Sequence, residues 1–532
     1  MNNKYLFLTG VAALMMAATS CSDDQLDQQP SNQLSNELMI ANKENAATVL
    51  NGIYYNTEHY YYLTIGQTAQ EVMGNDIKMT DGNYGFPTYY WLMFAYNYIQ
   101  YPATVDGWWS AYAPYMWTKA YAAITDCNLL INAYENQELV SGAEDYAAQA
   151  YGMRAWNFLN LYHLYCNSYA NEGGSGKGLF LRLSNASASN DDLVERSSLD
   201  ASLAQIEKDL LQAYSLCKSV SATGNYNMNK EAAALLLART YSELGDWASV
   251  RKYCDIATSG DYSGANLMSP EEWQSGFMTA NDEWLLGLNF NSETTNIYAS
   301  LPSFWHVFTS MSPEAVFGTA EYGTKVPGNS IDEQFDYLGN ENDNSYGAQD
   351  YLTGYSTVRA CKSFVETFRK ADNGSFGDIR ALFPAYIDEK DGYIIAKFNQ
   401  KATLGVADYP LCRIAEAYLL AAEASLHGQG SDGLQILNTL QQARKGSVSA
   451  SLTEDEVYLE RRRELYGEGF ALGDLKRLKR GVSRTGVDHW STTLSLPAGS
   501  GKMMFPIPDN ELLYNPYYKD NYNAGQNDNW AK

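Results

Sequence analysis

Histidine and cysteine are sparse, with five and seven residues in a chain of 532. The histidines (His59, His163, His306, His427 and His489) are scattered, with no HExxH and no local Cys/His cluster, so a zinc site has no support. No CxxC occurs, and apart from Cys21 the cysteines are Cys127, Cys166, Cys217, Cys254, Cys361 and Cys412. Their even count permits disulfides in an exported protein, but most lie inside helical patterns, which favours small buried hydrophobes. Basic side chains are also scarce, 37 against 62 acidic. The net charge of −25 repels phosphate backbones and anionic lipid headgroups, which excludes nucleic acid as a partner. Signs of catalysis are equally thin. No G-x-S-x-G elbow is present, and Gly173 to Gly178, GGSGKG, fails as a phosphate loop because Asn171 and Gly178 stand where Gly and Ser/Thr are required. A glycosidase needs two carboxyls about 5 to 10 Å apart, and 62 acidic residues would supply chance pairs in any fold. No catalytic residue, metal ligand or cofactor is therefore assigned.

The N-terminus has the parts of an export signal: Lys4, an apolar run from Tyr5 to Ala18, then Thr19-Ser20-Cys21 and the polar Ser22-Asp23-Asp24. Roughly 14 apolar residues are too few to cross a bilayer that needs about 20. A cysteine at the cleavage point is where bacterial lipoproteins are cut and acylated, so the expectation is a signal peptide over 1–20 and a lipid on Cys21. Acyl chains would hold a soluble body to a membrane without a transmembrane helix. Ser22-Asp23-Asp24 resembles the acidic tag that directs lipoproteins of Bacteroidetes-type bacteria to the outer face of the outer membrane.

What the chain has in quantity is tyrosine, 42 residues, with 11 Trp and 18 Phe. Tyrosine joins an apolar ring to a hydrogen-bonding hydroxyl, which suits a surface that holds something amphipathic. Elsewhere, helical periodicity dominates. Ala147, Tyr151, Ala155, Phe158, Tyr162 and Tyr165 form one stripe, and Leu411, Ala415, Tyr418, Leu419, Ala422 and Leu426 another. Further helices are predicted over 42–55, 111–134, 198–217, 230–257, 434–444 and 454–468. Ala233 to Ala257 resembles a tetratricopeptide repeat, with Leu237, Ala238 and Tyr241 before a Gly245-Asp246 turn and Ala257 after it. Such repeats bury a continuous core only by stacking on neighbours, and the other helix pairs are the natural neighbours. Two segments, 58–109 and 287–355, are rich in Tyr, Asn, Gly and Ser and lack this period. Glu460, Glu464 and Glu468 recur every four residues, a repulsive row unless arginines pair with it. Arg461, Arg463 and Arg477 are available, and the expectation is a structural ion-pair network.

Several motifs together make the chain resemble the SusD/RagB family of outer-membrane nutrient-binding lipoproteins. They are Trp109, Tyr112, Ile124 and Asn128 in WSAYAPYMWTKAYAAITDCNLL; Arg154-Ala155 in AAQAYGMRAWNFLNLYHLY, followed by the extended GLFLRL; GDIRALF (Gly377 to Phe383) before the strand-like GYIIAKF (Gly392 to Phe398); Arg413, Glu416, Tyr418, Ala422 and Glu423 in ADYPLCRIAEAYLLAAEA; ERRRELYGEGFALGDLKRLKRG; and the closing FPIPDNELLYNP. Phe470 and Ala471 replace an Arg or His frequent in the family.

The resemblance implies a mostly α fold: TPR-like helix pairs forming a scaffold, with a loop-rich second layer containing a few short strands. The expected organisation is a tether over 21–40 and one domain over 41–532. Its scaffold would occupy 41–57, 110–286 and 405–482, its ligand layer 58–109 and 287–404, and its C-terminal segment 483–532. By position in the family, Trp91, Tyr298 and Trp305 are expected to stack on sugar rings and Asp76 and Asn97 to hydrogen-bond hydroxyls, with Tyr322 a further candidate. Trp109 and Trp117 are expected in the core. The implied function is non-catalytic capture of an oligosaccharide or polysaccharide at the cell surface and its delivery to a SusC-like TonB-dependent transporter, with the TPR-like helices as the docking face. A peptide-binding importer of the RagB type, a surface glycoside hydrolase and a ligand-free TPR scaffold are the alternatives.

Overall fold

Five of the helices used below begin at side-chain caps. The computed structural model describes residues 36–59, 62–79, 112–184, 194–220, 225–295, 300–305, 358–369, 377–383, 392–393, 395–401, 405–484, 494–508, 511 and 515–517. In chain order the helices used below are α1 (Lys43–Glu58), α2 (Leu63–Val72), α3 (Tyr112–Glu135), α4 (Glu144–Tyr165), α5 (Leu199–Leu216), α6 (Lys230–Leu244), α7 (Trp247–Ala257), α8 (Ile414–Leu426), α9 (Gly433–Ala443), α10 (Glu454–Leu465) and α11 (Ala471–Arg477). Asn42, Ser198, Asn229, Asp246 and Thr453 each accept an N–H three residues on, at the starts of α1, α5, α6, α7 and α10. Each such cap contributes about 1 kcal/mol.

The long helices pack on one another in sequence order: α1 on α3, α3 on α4, α4 on α5, α5 on α6, α6 on α7, α7 on α8 and α8 on α9. This is the stacking that TPR-like pairs require. The described residues are mostly α-helical, as the resemblance implied. The helical stretch over 230–257 is the hairpin α6–α7, with the turn that the tetratricopeptide resemblance implied at Gly245-Asp246. It turns at Gly245, whose φ of 73° is the left-handed conformation that glycine adopts without strain. Tyr241 and Tyr253 stack across it, ring centroids 5.6 Å apart. Helix α4 is buried on almost every face, because α3 and α5 flank it.

Among the described residues, three short antiparallel ladders lie outside the helices: β1 (Ile77–Met79) with β3 (Val358–Ala360), β2 (Trp284–Leu288) with β4 (Tyr409–Arg413), and β5 (Val482–Arg484) with β6 (Leu494–Leu496). Leu411, read from periodicity as the start of a helix, lies in β4; α8 begins at Ile414. In the strand-like GYIIAKF, Tyr393 bridges to Ala360. The six cysteines from Cys127 to Cys412 are buried free thiols. No described helix is long and apolar enough to cross a membrane.

The motif residues prove to be joints between repeats. Arg154 donates to Asp209 (2.8 and 2.6 Å) and to Asn128 (2.8 Å), whose amide donates to the Arg182 and Ser184 carbonyls. Glu416 receives Arg239, Glu423 receives Arg477, and the Tyr418 hydroxyl donates to Asn266. Glu511 in the closing turn accepts from Arg182 and from the indole N–H of Trp117, a core residue as expected.

Candidate ligand-binding site

Two of the six expected ligand residues are described, Asp76 and Trp305, and both are engaged within the fold. Asp76 stands between α2 and β1, and its carbonyl accepts the Cys361 N–H at the edge of β3. Its carboxylate is held by Arg462 of α10 through both oxygens, Nε to Oδ2 at 2.8 Å and Nη2 to Oδ1. The cavity beside it measures about 20 Å³, room for a water molecule and not for a sugar ring. Asp76 is therefore an ion-pair partner tying β1 to α10, where a free acceptor for ligand hydroxyls was expected.

Trp305 closes the short helix Leu301–Trp305 and has no exposed surface. Its indole N–H donates to Thr68 Oγ1 of α2 at 2.9 Å, and its ring meets Phe398 edge-on at 5.7 Å. Expected as a stacking surface, it is instead core, because the short helix buries Leu301, Phe304 and Trp305 and packs beside β3. A signal was available in the sequence: Leu301, Phe304 and Trp305 fall at helical spacing, and all are buried. Trp91, Asn97, Tyr298 and Tyr322 lie outside the described residues, as does Cys21.

Behind these two residues runs a buried ion-pair network that joins α10 to the β2–β4 ladder. Arg413 donates to Glu283 (2.5 Å), Glu464 (3.0 Å) and Glu468 (2.8 and 2.7 Å). Arg444 donates to Glu283 and Glu464, and Arg380 to Asp378, Glu460 and Glu464. Lys397 donates to Glu468 (2.7 Å) and to two carbonyls, with its ammonium 4.4 Å from the centre of the Tyr466 ring. The expected ion-pair network is present, but with other partners. Of the three arginines proposed for the glutamate row, Arg463 alone pairs with it, at Glu460, while Arg461 holds Asp474 and Arg477 holds Glu423. Glu468 is beyond α10, which ends at Leu465, and Gly467 makes the turn with φ 81°, where a Cβ would stand 2.3 Å from Phe398.

Burial by itself would raise the Glu464 carboxyl, but the guanidiniums of Arg444, Arg413 and Arg380 reverse this and hold it far below the usual carboxylate range. Burial lowers the Lys397 ammonium to about 8, opposed by Glu468. Charges matched in this way tie α10 to the β2–β4 ladder.

Glu71, at the end of α2, is of a different kind. Burial pushes its carboxyl up to about 7, although backbone N–H groups leading into α11, those of Gly469 and Phe470 at 2.8 and 2.9 Å, donate to it. A carboxyl raised above its unfolded value near 4.5 contributes most to stability below that pH, and the contribution is lost as pH rises through 7. Glu71→Gln, which keeps an acceptor oxygen, should remove this dependence. Between pH 5 and pH 8 the wild type should lose roughly 3 kcal/mol more than the variant in urea unfolding. Parallel pH curves for the two proteins would contradict the assignment.

Comparison with known proteins gives two family matches: residues 24–242 match the SusD-like family described as starch-binding and associating with the outer membrane, and residues 384–530 match the SusD family. Curated proteins give no match. Among solved structures, a SusD superfamily protein from Bacteroides thetaiotaomicron superimposes with TM-score 0.68 at 20% identity, covering 89% of this chain and 98% of its own. A SusD-like carbohydrate-binding protein from Bacteroides vulgatus gives 0.67 at 20% identity, covering 90% and 97%. A laminarin-binding SusD-like protein gives 0.63 at 16% identity, covering 90% and 100%.

Proposed function

This chain belongs to the SusD/RagB family, and on that premise we propose that it is a non-catalytic glycan-binding lipoprotein of the outer-membrane surface that hands oligosaccharide to a SusC-like TonB-dependent transporter. The observation that carries this reading is the pair of family matches at the two ends of the chain, one to a family described as starch-binding and associating with the outer membrane. The aromatic segments 58–109 and 287–355 supply the means. A sugar ring presents an apolar C–H face to an aromatic ring and its hydroxyl rim to hydrogen-bonding groups. Trp91 and Tyr298 are proposed as stacking surfaces, Asn97 as a hydroxyl partner and Tyr322 as a further contact. Acylation at Cys21 would anchor the protein, and the stacked helices offer an extended face for the transporter.

Affinity electrophoresis of Ser22 to Lys532 in gels containing neutral and acidic polysaccharides, laminarin and starch among them, tests the proposal. Retardation by at least one polymer is expected. Trp91→Ala should weaken it about tenfold or more, as the loss of a stacking ring implies. Binding to a peptide mixture with no retardation by any glycan would favour peptide import, and release of reducing ends would establish a hydrolase.

A further inference from the structure

A cleft of about 500 Å³ opens on the helical scaffold, between the α6–α7 turn, the end of α8, the first half of α10 and the end of α11. Its volume lies within the roughly 300 to 1,000 Å³ of small-molecule sites. None of its lining residues belongs to segments 58–109 or 287–404. Trp247 and His427 stack at its wall, ring centroids 4.1 Å apart and planes 6° from parallel, and Tyr169 and Tyr458 add two more rings.

We propose that this cleft is a second saccharide site, one that takes a short neutral oligosaccharide and rests on the glycan-binding reading above. Charge decides the ligand class. Arg461, Arg477 and Lys479 line the cleft against Glu243, Glu423 and Glu454, so its wall carries no net charge. The buried members are already matched: Arg477 with Glu423, Arg461 with Asp474, and Glu243 with the Tyr162 hydroxyl. An ionic ligand that drew on these buried charges would have to break the pairs, whereas a polyol need not. Several polar groups remain available to it. The Trp247 indole N–H, the Tyr458 hydroxyl, the Lys479 ammonium and the Glu454 carboxylate make no hydrogen bond among the described residues, and the Arg461 Nη1 is buried without a partner. Aromatic faces beside unspent donors and acceptors match the two surfaces of a sugar ring. A protein segment would find a charge-lined floor where interface cores are depleted of charge.

The test is 19F NMR of the full chain labelled with 5-fluorotryptophan, with Trp247 and Trp91 assigned by Trp→Phe variants and maltotriose, cellotriose, laminaritriose and xylotriose titrated in turn. A saturable shift of the Trp247 resonance with at least one trisaccharide is expected. Tyr458→Phe, which removes the hydroxyl and keeps the ring, should weaken that response about fivefold, one net hydrogen bond. A shift at Trp91 with none at Trp247 overturns the second site and leaves the loop platform standing. A shift at Trp247 alone would retain the second site and count against the platform. No shift at Trp247 with any trisaccharide, or an unchanged response in Tyr458→Phe, overturns the proposal.

Discussion

Arg413→Met should lower stability by about 3 to 5 kcal/mol, a large part of the roughly 5 to 15 kcal/mol that holds a folded domain. The guanidinium is 1% exposed and holds three carboxylates that are themselves no more than 3% exposed. Removing it leaves the five carboxylates of the network, Asp378, Glu283, Glu460, Glu464 and Glu468, with four cations, Arg380, Arg444, Lys397 and Arg463. The penalty is that of an uncompensated buried ion, several times what a surface pair contributes. Arg251→Met provides the comparison. It breaks two ion pairs where Arg413→Met breaks three, but with Asp255 and Asp432, whose side chains are 43% and 40% exposed, so a change within about 1 kcal/mol is expected. Urea unfolding of the two variants checks this, and similar losses in both would show that the buried network does not carry the stability assigned to it. The network also sets an acid limit. Glu464 and Glu468 are both held below the ordinary carboxylate range, so the stability they contribute is present above the unfolded value near 4.5 and is lost as pH falls through their depressed folded values.

Trp305→Ala should cost about 3 to 5 kcal/mol, the range for truncating a large buried aromatic. It would empty the space beside Phe398 and leave Thr68 without its indole donor. The expected signature is an earlier urea transition with any glycan affinity retained in the protein that remains folded. Trp305→Phe should cost less, since it keeps a ring at the same place. An alanine variant as stable as the wild type but unable to bind glycan would return Trp305 to the stacking role that its position in the sequence suggested.

The contrast between these two residues shows what the sequence could and could not disclose. Helices α1, α3, α4 and α5 were legible to within about three residues, because each has a cap or an apolar stripe of local origin. Leu411 was misread since an apolar residue fits the end of a helical stripe and a buried strand equally well. The glutamates of α10 were correctly read as paired, yet Arg461 and Arg477 were assigned to them on proximity in sequence, while the true partners Arg413, Arg444 and Arg380 lie 20 to 84 residues away. Spacing encodes neighbours on one helix and carries no information about which distant segment closes over it. Asp76 was misread for the same reason: Arg462 is 386 residues along the chain.

That separation has a consequence for the order in which the molecule can be completed. Glu283 is fully buried, and its partners Arg413 and Arg444 follow it by 130 and 161 residues. A chain emerging N-terminus first can stack α1 through α7 while Glu283 still faces water, but the β2–β4 ladder cannot close until residue 413 has been delivered. The last third of the polypeptide is thus the clasp of the first two-thirds, and a chain interrupted before Arg444 would hold a finished row of helices next to an unfinished core.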